Sequence, residues 1–492
     1  MLVFSLLTAT SKATLAVTSP ELSAAQTACG LLSRAFPQLV AFPGSPQYTA
    51  DNAHYAVSSI QNSTCSIEPN TPQDVAEILR IVGRDDVRAP FAIKSGGHAY
   101  NIGQSSTTGI QLSLVKFNTV SYNPSTKTAT IGTGLTWDQV YKQLEPIGVM
   151  VTGGRIPGIG VGGFSLGGGY SWKTDQFGLC VDTIVSFDVV LPSGQFTRVT
   201  NSSNPDLFFA LKGGLNNFGI VTAITFETHP QTLVWGGTLI YTRDVADQVN
   251  QVVASFDVNN TDLKAQIIAE PTSIGGQFIY SVFLFYDAPN PPSGLFDPFL
   301  AIPAAQSAIK TQTFVEFLTS NFGDGTLGIG PFKYGAHVIP IVNYTPDVLA
   351  EMVEQVTNIG NSLMPLFNGS TLIVACGAEP FTKPFSHSRG GAYPHPPSRQ
   401  VKPTAPFLAL QAGADKNQEA ILVRGVKQLS RNVQARAVQE GQSRWDDLLY
   451  PNYALFDTPL ELMYGSNVAR LKAIARKVDP KGIMRLTGGF KF

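Results

Sequence analysis

The sequence predicts an α+β fold divided into two lobes, and three observations lead to this prediction. The chain has 492 residues, of which 43% are hydrophobic and 14% charged, so it can bury more than one core. Helix-like and strand-like segments follow one another without a repeat and without sustained βα alternation. Glycine clusters are dense before residue 230 and sparse after it, which places a boundary between the lobes there.

The elements of the first lobe are predicted from hydrophobic periodicity. Residues 72–82 carry apolar side chains at helical spacing after an acidic start, and residues 137–144 form a second amphipathic helix. Short β-forming runs predict strands at 90–93, 109–114, 128–132, 184–191 and 220–226. The turn at 192–194 has the Pro-Ser-Gly composition that ends a strand.

The second lobe, from residue 234 to about 440, alternates strands with helices. A strand is predicted at 277–285 and helices at 346–360 and 417–434, which is typical of a sheet with helices on one face. A proline-rich loop at 393–406 interrupts the pattern and is expected at the surface or over a cleft. Tyr393, His395 and Arg399 are candidates for lining that cleft, although loop composition accounts for them equally well.

Charge and motif content exclude several classes of partner. The formal net charge is -1 and no run of Lys or Arg occurs, so neither nucleic acid nor an anionic membrane surface is expected to bind. The six histidines are scattered and no Cys-x-x-Cys or His-Glu-x-x-His motif occurs, so no metal site is predicted. After the N-terminus no run is long and apolar enough to span a bilayer, and a monomer is expected.

The N-terminus indicates export from the cell. A short apolar run and small residues predict a signal peptide at 1–18, with a plausible cleavage site at 14–16. Lys12 follows the apolar run and no positive charge precedes it, so a trimmed or misannotated start is an alternative. Five glycosylation sequons support a secreted, extracellular glycoprotein: Asn62, Asn201, Asn259, Asn343 and Asn368.

The four cysteines predict one disulfide bond. Cys29 and Cys65 lie early in the chain in polar surroundings, whereas Cys180 and Cys376 lie in apolar stretches. We expect Cys29 to pair with Cys65 and the other two to be buried as small hydrophobic residues. This pairing would fit an oxidising compartment.

Two glycine-rich segments indicate a ligand site. Lys94-Ser95-Gly96-Gly97-His98 sets a histidine on a glycine turn after a strand; it either simply ends the strand or leaves room for a planar ligand. The second segment, 153–170, suggests that one extended ligand touches both loops. It contains Gly158-x-Gly160-x-x-Gly163, but Gly167, Gly168 and Gly169 would break the helix that a Rossmann fingerprint needs. A nest of backbone N–H groups that binds a pyrophosphate remains physically sensible.

Four separated motifs resemble one family. They are Ser95-Gly96-Gly97-His98, the loop from Gly160 to Tyr170, the segment 204–221, and Tyr450-Pro451-Asn452-Tyr453. Together they resemble FAD-linked oxidoreductases of the berberine bridge enzyme-like branch of the vanillyl-alcohol oxidase/p-cresol methylhydroxylase (PCMH) superfamily. The resemblance implies a PCMH-type FAD-binding domain at 19–230, rejoined by a C-terminal segment at 441–492. Between them it implies a substrate domain at 231–440, an antiparallel sheet covered by helices.

The resemblance also implies how FAD is held. His98 matches the histidine that bonds covalently to the 8α position of the flavin, and a neutral imidazole is a competent nucleophile for that carbon. Ile156 stands where many relatives have a second linking cysteine, and Phe164 where a histidine is common, so a single link is expected. The other residues expected to contact FAD are Lys94, Ser95, Gly96, Gly97, Asn101, Gly103, Gln104, Gly154, Gly158, Ile159, Gly162, Gly163, Gly167, Gly168, Gly169, Gly219, Ile220, Val221, Tyr450 and Asn452.

For the reaction, the resemblance implies oxidation of a small organic substrate, an alcohol, carbohydrate or secondary metabolite, by hydride transfer to the flavin. Tyr450 and Asn452 match the family's Tyr-x-Asn pair; Tyr450 is either the base or a packing aromatic, since a pKa of about 10 needs lowering for base catalysis. O2 is the expected electron acceptor, although the bulk of Ile159 favours slow reoxidation. The alternatives are a dehydrogenase that uses a quinone-like acceptor and a non-catalytic flavin-binding or storage protein.

Overall fold

A computed structural model describes residues 20–325, 327–328, 330–367, 369–412 and 418–492. The predicted signal peptide, the sequon at Asn368 and the predicted helix start at residue 417 lie outside these residues. Within the described ranges no helix has the length and apolar character needed to cross a membrane.

The described residues form fourteen α-helices and twenty strands. The helices are α1 (Pro20–Ala35), α2 (Pro46–Asn52), α3 (Pro72–Val82), α4 (Trp137–Leu144), α5 (Val161–Leu166), α6 (Thr174–Phe177), α7 (Pro205–Leu211), α8 (Ala246–Asn259), α9 (Asp297–Leu300), α10 (Phe314–Phe322), α11 (Pro346–Leu363), α12 (Gln418–Gln439), α13 (Leu460–Tyr464) and α14 (Asn467–Val478). The strands are β1 (Val40–Ala41), β2 (Cys65–Ile67), β3 (Phe91–Lys94), β4 (Ile110–Ser113), β5 (Val120–Asn123), β6 (Thr128–Gly132), β7 (Val149–Met150), β8 (Ile184–Val190), β9 (Phe196–Val199), β10 (Ile220–Glu227), β11 (His229–Pro230), β12 (Val234–Tyr241), β13 (Ala265–Ile274), β14 (Gln277–Tyr286), β15 (Gln306–Ser307), β16 (Lys310–Gln312), β17 (Phe332–Ala336), β18 (Ile339–Ile341), β19 (Leu372–Ala378) and β20 (Lys402–Gln411).

The first lobe contains two main sheets. One has the order β1-β2-β4-β3, with β2 and β3 parallel to β4, and the other is antiparallel with the order β5-β6-β10-β8-β9. Helices α1 and α3 pack on the smaller sheet; α3 begins with a capping box between Thr71 and Asp74. The predicted disulfide between Cys29 and Cys65 is present and ties α1 to β2 across 36 residues. A loop of that size stabilises the fold by about 3 to 4 kcal/mol in the chain-entropy model.

The second lobe is a nine-stranded antiparallel sheet whose main order is β15-β12-β14-β13-β19-β20-β17. Helices α8, α11 and α12 share one hydrophobic cluster with alternate residues of its strands, which confirms the predicted sheet with helices on one face. On β13 these inward residues are Ala265, Ile267 and Ala269. The intervening residues therefore lie on the opposite face, toward the first lobe.

The two lobes share a hydrophobic cluster, and the C-terminal segment packs on the first lobe. Trp172 packs against Phe285 of β14 with ring centroids 5.4 Å apart. Asn217 Nδ2 donates to Phe490 O at 3.0 Å, and Asn101 Nδ2 donates to Ala454 O at 2.9 Å. These contacts fix the first lobe, the sheet and residues 450–456 relative to one another.

Several predicted boundaries were wrong for identifiable reasons. Helix α11 continues past Gly360 because this glycine is a packing position: a Cβ atom there would lie 2.5 Å from Ser273 Oγ. Helix α12 continues to Gln439 because Val433 and Ala437 extend its buried stripe. A short helix that was not predicted, α5, lies inside the glycine loop, and it ends at Gly167, where the glycine triplet was predicted to break a helix.

The predicted proline-rich loop at 393–406 extends too far toward the C-terminus. Its last residues belong to β20, where Pro403 and Pro406 lack an N–H group but accept hydrogen bonds through their carbonyl oxygens. Tyr344 Oη donates to Pro403 O at 3.1 Å and His337 N donates to Pro406 O at 3.0 Å. The pairing of β20 with β17, β18 and β19 outweighs the local signal of the prolines.

Candidate active site

The turn that carries His98 packs directly against the glycine loop. A Cβ atom at Gly96 would lie 2.6 Å from Gly160 N, and one at Gly160 would lie 2.2 Å from Gly96 N. Gly97 has φ +71°, a conformation that favours glycine. The two glycine segments identified in the sequence therefore meet backbone to backbone.

Hydrogen bonds of Ser95 and Thr133 stabilise the contact between the His98 turn and the glycine loop. Ser95 Oγ donates to Thr133 O at 2.5 Å and accepts from Gly162 N at 3.1 Å. Thr133 Oγ1 in turn donates to Val221 O at 2.7 Å, at the start of β10. Three of the predicted motifs thus converge on Thr133, which sequence reasoning missed because a single threonine after a strand carries no distinctive pattern.

His98 presents an unsatisfied nitrogen. Its ring stacks on Tyr55 with centroids 3.8 Å apart and an interplanar angle of 17°. His98 Nε2 and the nearby Tyr100 Oη are buried, and neither has a hydrogen-bond partner among the described residues. Burial lowers the pKa of His98 to about 4, so the imidazole is neutral at physiological pH. Orphaned polar atoms of this kind fit a site shaped for a ligand.

The glycine triplet at 167–169 makes room for the Tyr-x-Asn pair. A Cβ atom at Gly167 would lie 1.9 Å from Asn452 Oδ1, and one at Gly168 would lie 3.1 Å from the Tyr450 ring. Gly168 and Gly169 have φ values of +120° and +87°. All three glycines were predicted as cofactor contacts; Gly167 and Gly168 lie against the two predicted reaction residues, whereas a Cβ atom at Gly169 would lie 2.5 Å from Cys180 Cβ.

The Tyr450 hydroxyl receives two hydrogen bonds. Gly169 N and Asn452 Nδ2 both donate to it at 2.9 Å, and the residue is 3% exposed. Burial raises the pKa of Tyr450, while the bond from Asn452, the bond from Gly169 and the charge of Arg155 act in the opposite direction. The net effect keeps the phenol protonated, and the two donors would stabilise negative charge on its oxygen.

A buried ion pair that sequence reasoning missed lies next to this tyrosine. Arg155 Nη2 lies 2.8 Å from Glu379 Oε2 and donates to Tyr453 Oη at 2.6 Å; Tyr453 Oη donates to Glu379 Oε1 at 3.0 Å. Arg155 Nη1 is buried and has no partner among the described residues. Arg155 is the only charged residue of the segment 153–170, which is a signal that could have identified it.

Several residues predicted to contact FAD already have protein partners for their backbone N–H groups. Gly158 N donates to Asp138 Oδ1 at 2.9 Å, Gly103 N to Ser106 Oγ at 3.2 Å and Gln104 N to Asn101 O at 3.2 Å. By contrast, Gly163 is exposed, and a Cβ atom there would have no neighbour within 4 Å. The open side of the glycine loop is therefore at Gly163.

The remaining residues predicted to contact FAD also bond to or pack against other parts of the first lobe. Lys94 Nζ donates to Ala50 O at 2.7 Å, and Gly154 O accepts from Tyr141 Oη at 3.0 Å. A Cβ atom at Gly219 would lie 2.6 Å from Val190 O, and the adjoining Ile220 and Val221 are buried in β10. Ile159 is half-buried against the core of the first lobe.

A second covalent link to the flavin would need a nucleophilic side chain in or near the glycine loop. The three residues to consider are Ile156, Phe164 and Cys180. Phe164 packs edge-on to Trp137 with centroids 5.5 Å apart, and Ile156 is half-buried in the same loop. Cys180 is buried, as predicted, and burial raises the pKa of its thiol to about 12. The buried thiol stays protonated and unreactive.

Of the residues proposed to line the cleft from the proline-rich loop, Tyr393 and His395 are buried and Arg399 is half-buried. His395 Nε2 lies 2.9 Å from Asp182 Oδ1, and both side chains are inaccessible to solvent. Arg399 Nη1 donates to Tyr393 Oη at 2.8 Å. The Tyr393 ring lies 5.8 Å from that of Tyr450, so it supports the tyrosine, whereas His395 has a structural role.

The chain has clear relatives among known proteins. Residues 64–200 match a family described as an FAD binding domain. The FAD-dependent monooxygenase drtC of Aspergillus calidoustus is 31% identical over 463 residues, which cover 90% of this chain and 86% of that protein. Among solved structures, wild-type BBE-like 1 of Physcomitrella patens has a TM-score of 0.72 at 19% identity and covers 95% of this chain and 97% of its own. A carbohydrate oxidase from Microdochium nivale has a TM-score of 0.73 at 20% identity, with coverage of 93% and 98%. These likenesses confirm the predicted PCMH-type fold.

Proposed function

Because the chain belongs to the berberine bridge enzyme-like FAD-linked oxidoreductases, we propose that it oxidises a small organic substrate and holds its FAD covalently through His98. When bound, the flavin supplies a hydride acceptor for the substrate carbon. Family membership supports an enzyme over the alternative of a non-catalytic storage protein. An alcohol, a carbohydrate or a secondary metabolite is the substrate class.

The observation that best supports a covalent link is that His98 Nε2 is buried without a hydrogen-bond partner among the described residues. A neutral, buried imidazole with no partner for this nitrogen among the described residues suits bond formation to an electrophilic carbon. The stacked Tyr55 ring restrains its orientation. The link is single because Ile156 and Phe164 are not nucleophiles and the Cys180 thiol is buried.

Tyr450 is the proposed acceptor of the proton that leaves the substrate. Oxidation of an alcohol releases a proton together with the hydride, and only the phenolate form of Tyr450 can accept that proton, so the phenol must first lose its own proton to solvent. Gly169 N and Asn452 Nδ2 would stabilise the phenolate, and the nearby Arg155 adds positive charge. The competing role is packing, in which Tyr450 only fills the space above the glycine triplet.

O2 is the proposed electron acceptor, and a quinone-like acceptor is the alternative. The carbohydrate oxidase from Microdochium nivale is an oxidase by name, which supports O2. The bulk of Ile159, half-buried in the glycine loop, supports slow access of O2 and hence the alternative.

Secretion as a glycoprotein is proposed from the sequons and the disulfide bond. Asn62, Asn201 and Asn259 are exposed and suit glycosylation. Asn343 is half-buried, and the Thr345 of its sequon caps α11. We therefore expect sugars at the three exposed sites and none at Asn343.

The decisive experiment is a substrate panel mixed with purified holoenzyme in the absence of O2. Alcohols, oligosaccharides and aromatic metabolites are compared by the loss of visible flavin absorption. A compound that bleaches the flavin identifies the substrate class. A holoenzyme that no compound in the panel bleaches, although dithionite reduces it, would argue against the proposed activity.

A further inference from the structure

The face of the nine-stranded sheet that looks toward the first lobe carries two carboxyl groups. Glu270 lies on β13 and Glu379 directly follows β19; these strands pair with Ala269 opposite Ala378. Since Ala269 belongs to the helix-covered core, Glu270 lies on the other face. A Cβ atom at Gly377 would lie 3.4 Å from Glu270 Oε2, so the glycine leaves space beside this carboxyl group.

The two carboxyl groups differ in their partners. Glu379 is paired with Arg155 and bonded to Tyr453. Glu270 is half-buried, and no hydrogen bond or positive charge from the described residues is resolved at its carboxyl group. Burial and then the charge of Glu379 raise the pKa of Glu270 to about 7. A carboxylate in such a place lacks the positive charge that would offset its desolvation.

Aromatic rings lie around this carboxyl group. The Tyr55 ring, stacked on His98, stands nearly perpendicular to Tyr334 with centroids 5.6 Å apart, and Tyr334 stacks on Phe407 at 5.3 Å. Burial and the charge of Glu270 both raise the pKa of Tyr55, and the same two influences contribute at Tyr334. Aromatic rings near a carboxylate that lacks a positively charged partner form the kind of site that binds an ammonium group.

We propose that Glu270 is a specificity-determining residue that binds a protonated amine of an aromatic substrate in the cleft between the lobes. The ammonium group donates to the Glu270 carboxylate, and its positive charge lies against Tyr55 and Tyr334. Glu379 does not compete for it, because Arg155 already neutralises that carboxylate. The inference rests on the proposed function, since the amine belongs to the molecule that is oxidised.

The test compares two probes of equal size, 2-phenylethylamine and 2-phenylethanol, on the oxidised holoenzyme at about pH 8, above the pKa of Glu270. Binding is measured without O2 from the change in flavin absorption on titration. We expect the amine to bind about 10-fold or more tightly than the alcohol, as a charge-assisted hydrogen bond provides. Equal affinities, tighter binding of the alcohol or no response to either probe at millimolar concentration would overturn the inference.

Variants localise the preference. Glu270→Gln keeps the shape and removes the charge, so it should abolish the preference for the amine, whereas Glu270→Asp should retain it. Glu354→Gln, on the exposed surface of α11, is the matched control and should bind both probes as the wild type does. A preference for the amine that persists in Glu270→Gln would contradict the inference. Because binding is measured without turnover, a failure of the proposed oxidation would appear separately, as absence of bleaching in the substrate panel.

Discussion

The two walls of the candidate site are built in different ways. The wall from the first lobe consists of the turn at 95–98 and the loop at 153–170, where backbone approaches backbone and glycine is required. The wall from the second lobe is a sheet face, which brings together Glu270 of β13, Tyr334 of β17 and Glu379, the residue after β19. The difference teaches that one wall is encoded by local conformation and the other by strand pairing.

The largest effect is expected from removing the proposed covalent tether of the first wall, His98. Acid denaturation of the wild-type protein should leave the flavin attached to the polypeptide. His98→Ala should release all of its flavin under the same conditions, because only the backbone loops then hold the cofactor. Absorption of the precipitate and the supernatant measures this. Free FAD from the wild type would contradict the tether.

This first wall is also the part that the sequence predicts best. Ser95, Gly96, Gly97 and His98 are contiguous, and a glycine turn after a strand is visible without any knowledge of the fold. The same is true of Gly167, Gly168 and Gly169, although their neighbours, Asn452 and Tyr450, become apparent only in the structure.

The second wall could not be predicted in the same way. Glu270 and Glu379 are 109 positions apart and become neighbours only because β13 pairs with β19. Arg155 is conspicuous in its loop, but its partner Glu379 lies on the other lobe. Long-range pairing of this kind leaves no local pattern, which is also why the strand at the end of the proline-rich loop was missed.

The next effect distinguishes glycines that the fold requires from glycines that the ligand requires. Gly160→Ala should destabilise the protein by more than about 4 kcal/mol, because its Cβ atom would overlap Gly96 N and Ser95 Oγ. Gly163→Ala meets no protein atom within 4 Å and replaces a helical glycine, so the free energy of unfolding should not fall.

We expect Gly163→Ala instead to lower the ratio of flavin to protein, because the cofactor is predicted to lie against this glycine. Denaturant unfolding and absorption spectra provide the two measurements. Full flavin content in Gly163→Ala would show that the open side of the loop does not face the cofactor. A stable Gly160→Ala protein would contradict the backbone junction.

The Tyr450 hydroxyl, which accepts a hydrogen bond from Gly169 of the first wall, tests whether this tyrosine takes part in the reaction or only packs beside the substrate. Tyr450→Phe should slow flavin reduction by about 10²-fold or more while the flavin spectrum stays unchanged. The matched control is Tyr464→Phe, which removes another buried hydroxyl, one that donates to Gly213 O. Stopped-flow reduction without O2 measures both. Equal rates in the two variants would assign Tyr450 to packing.

The smallest effect is expected from Ile159, a side chain in a wall that consists mainly of closely packed backbone. Ile159 lies between Gly158 and Gly160 and is stiff at χ1, so we expect it to crowd the approach of O2 to the reduced flavin. Ile159→Val should accelerate reoxidation by O2 less than tenfold, a barrier change below about 1.4 kcal/mol, and Ile159→Gly should accelerate it further. Reoxidation by a soluble quinone is the control and should change little, since such an acceptor can take electrons at the edge of the flavin. Fast reoxidation of the wild type with stoichiometric hydrogen peroxide would contradict the crowding and establish O2 as the acceptor. Slow reoxidation that responds to Ile159 would instead favour the quinone-like acceptor.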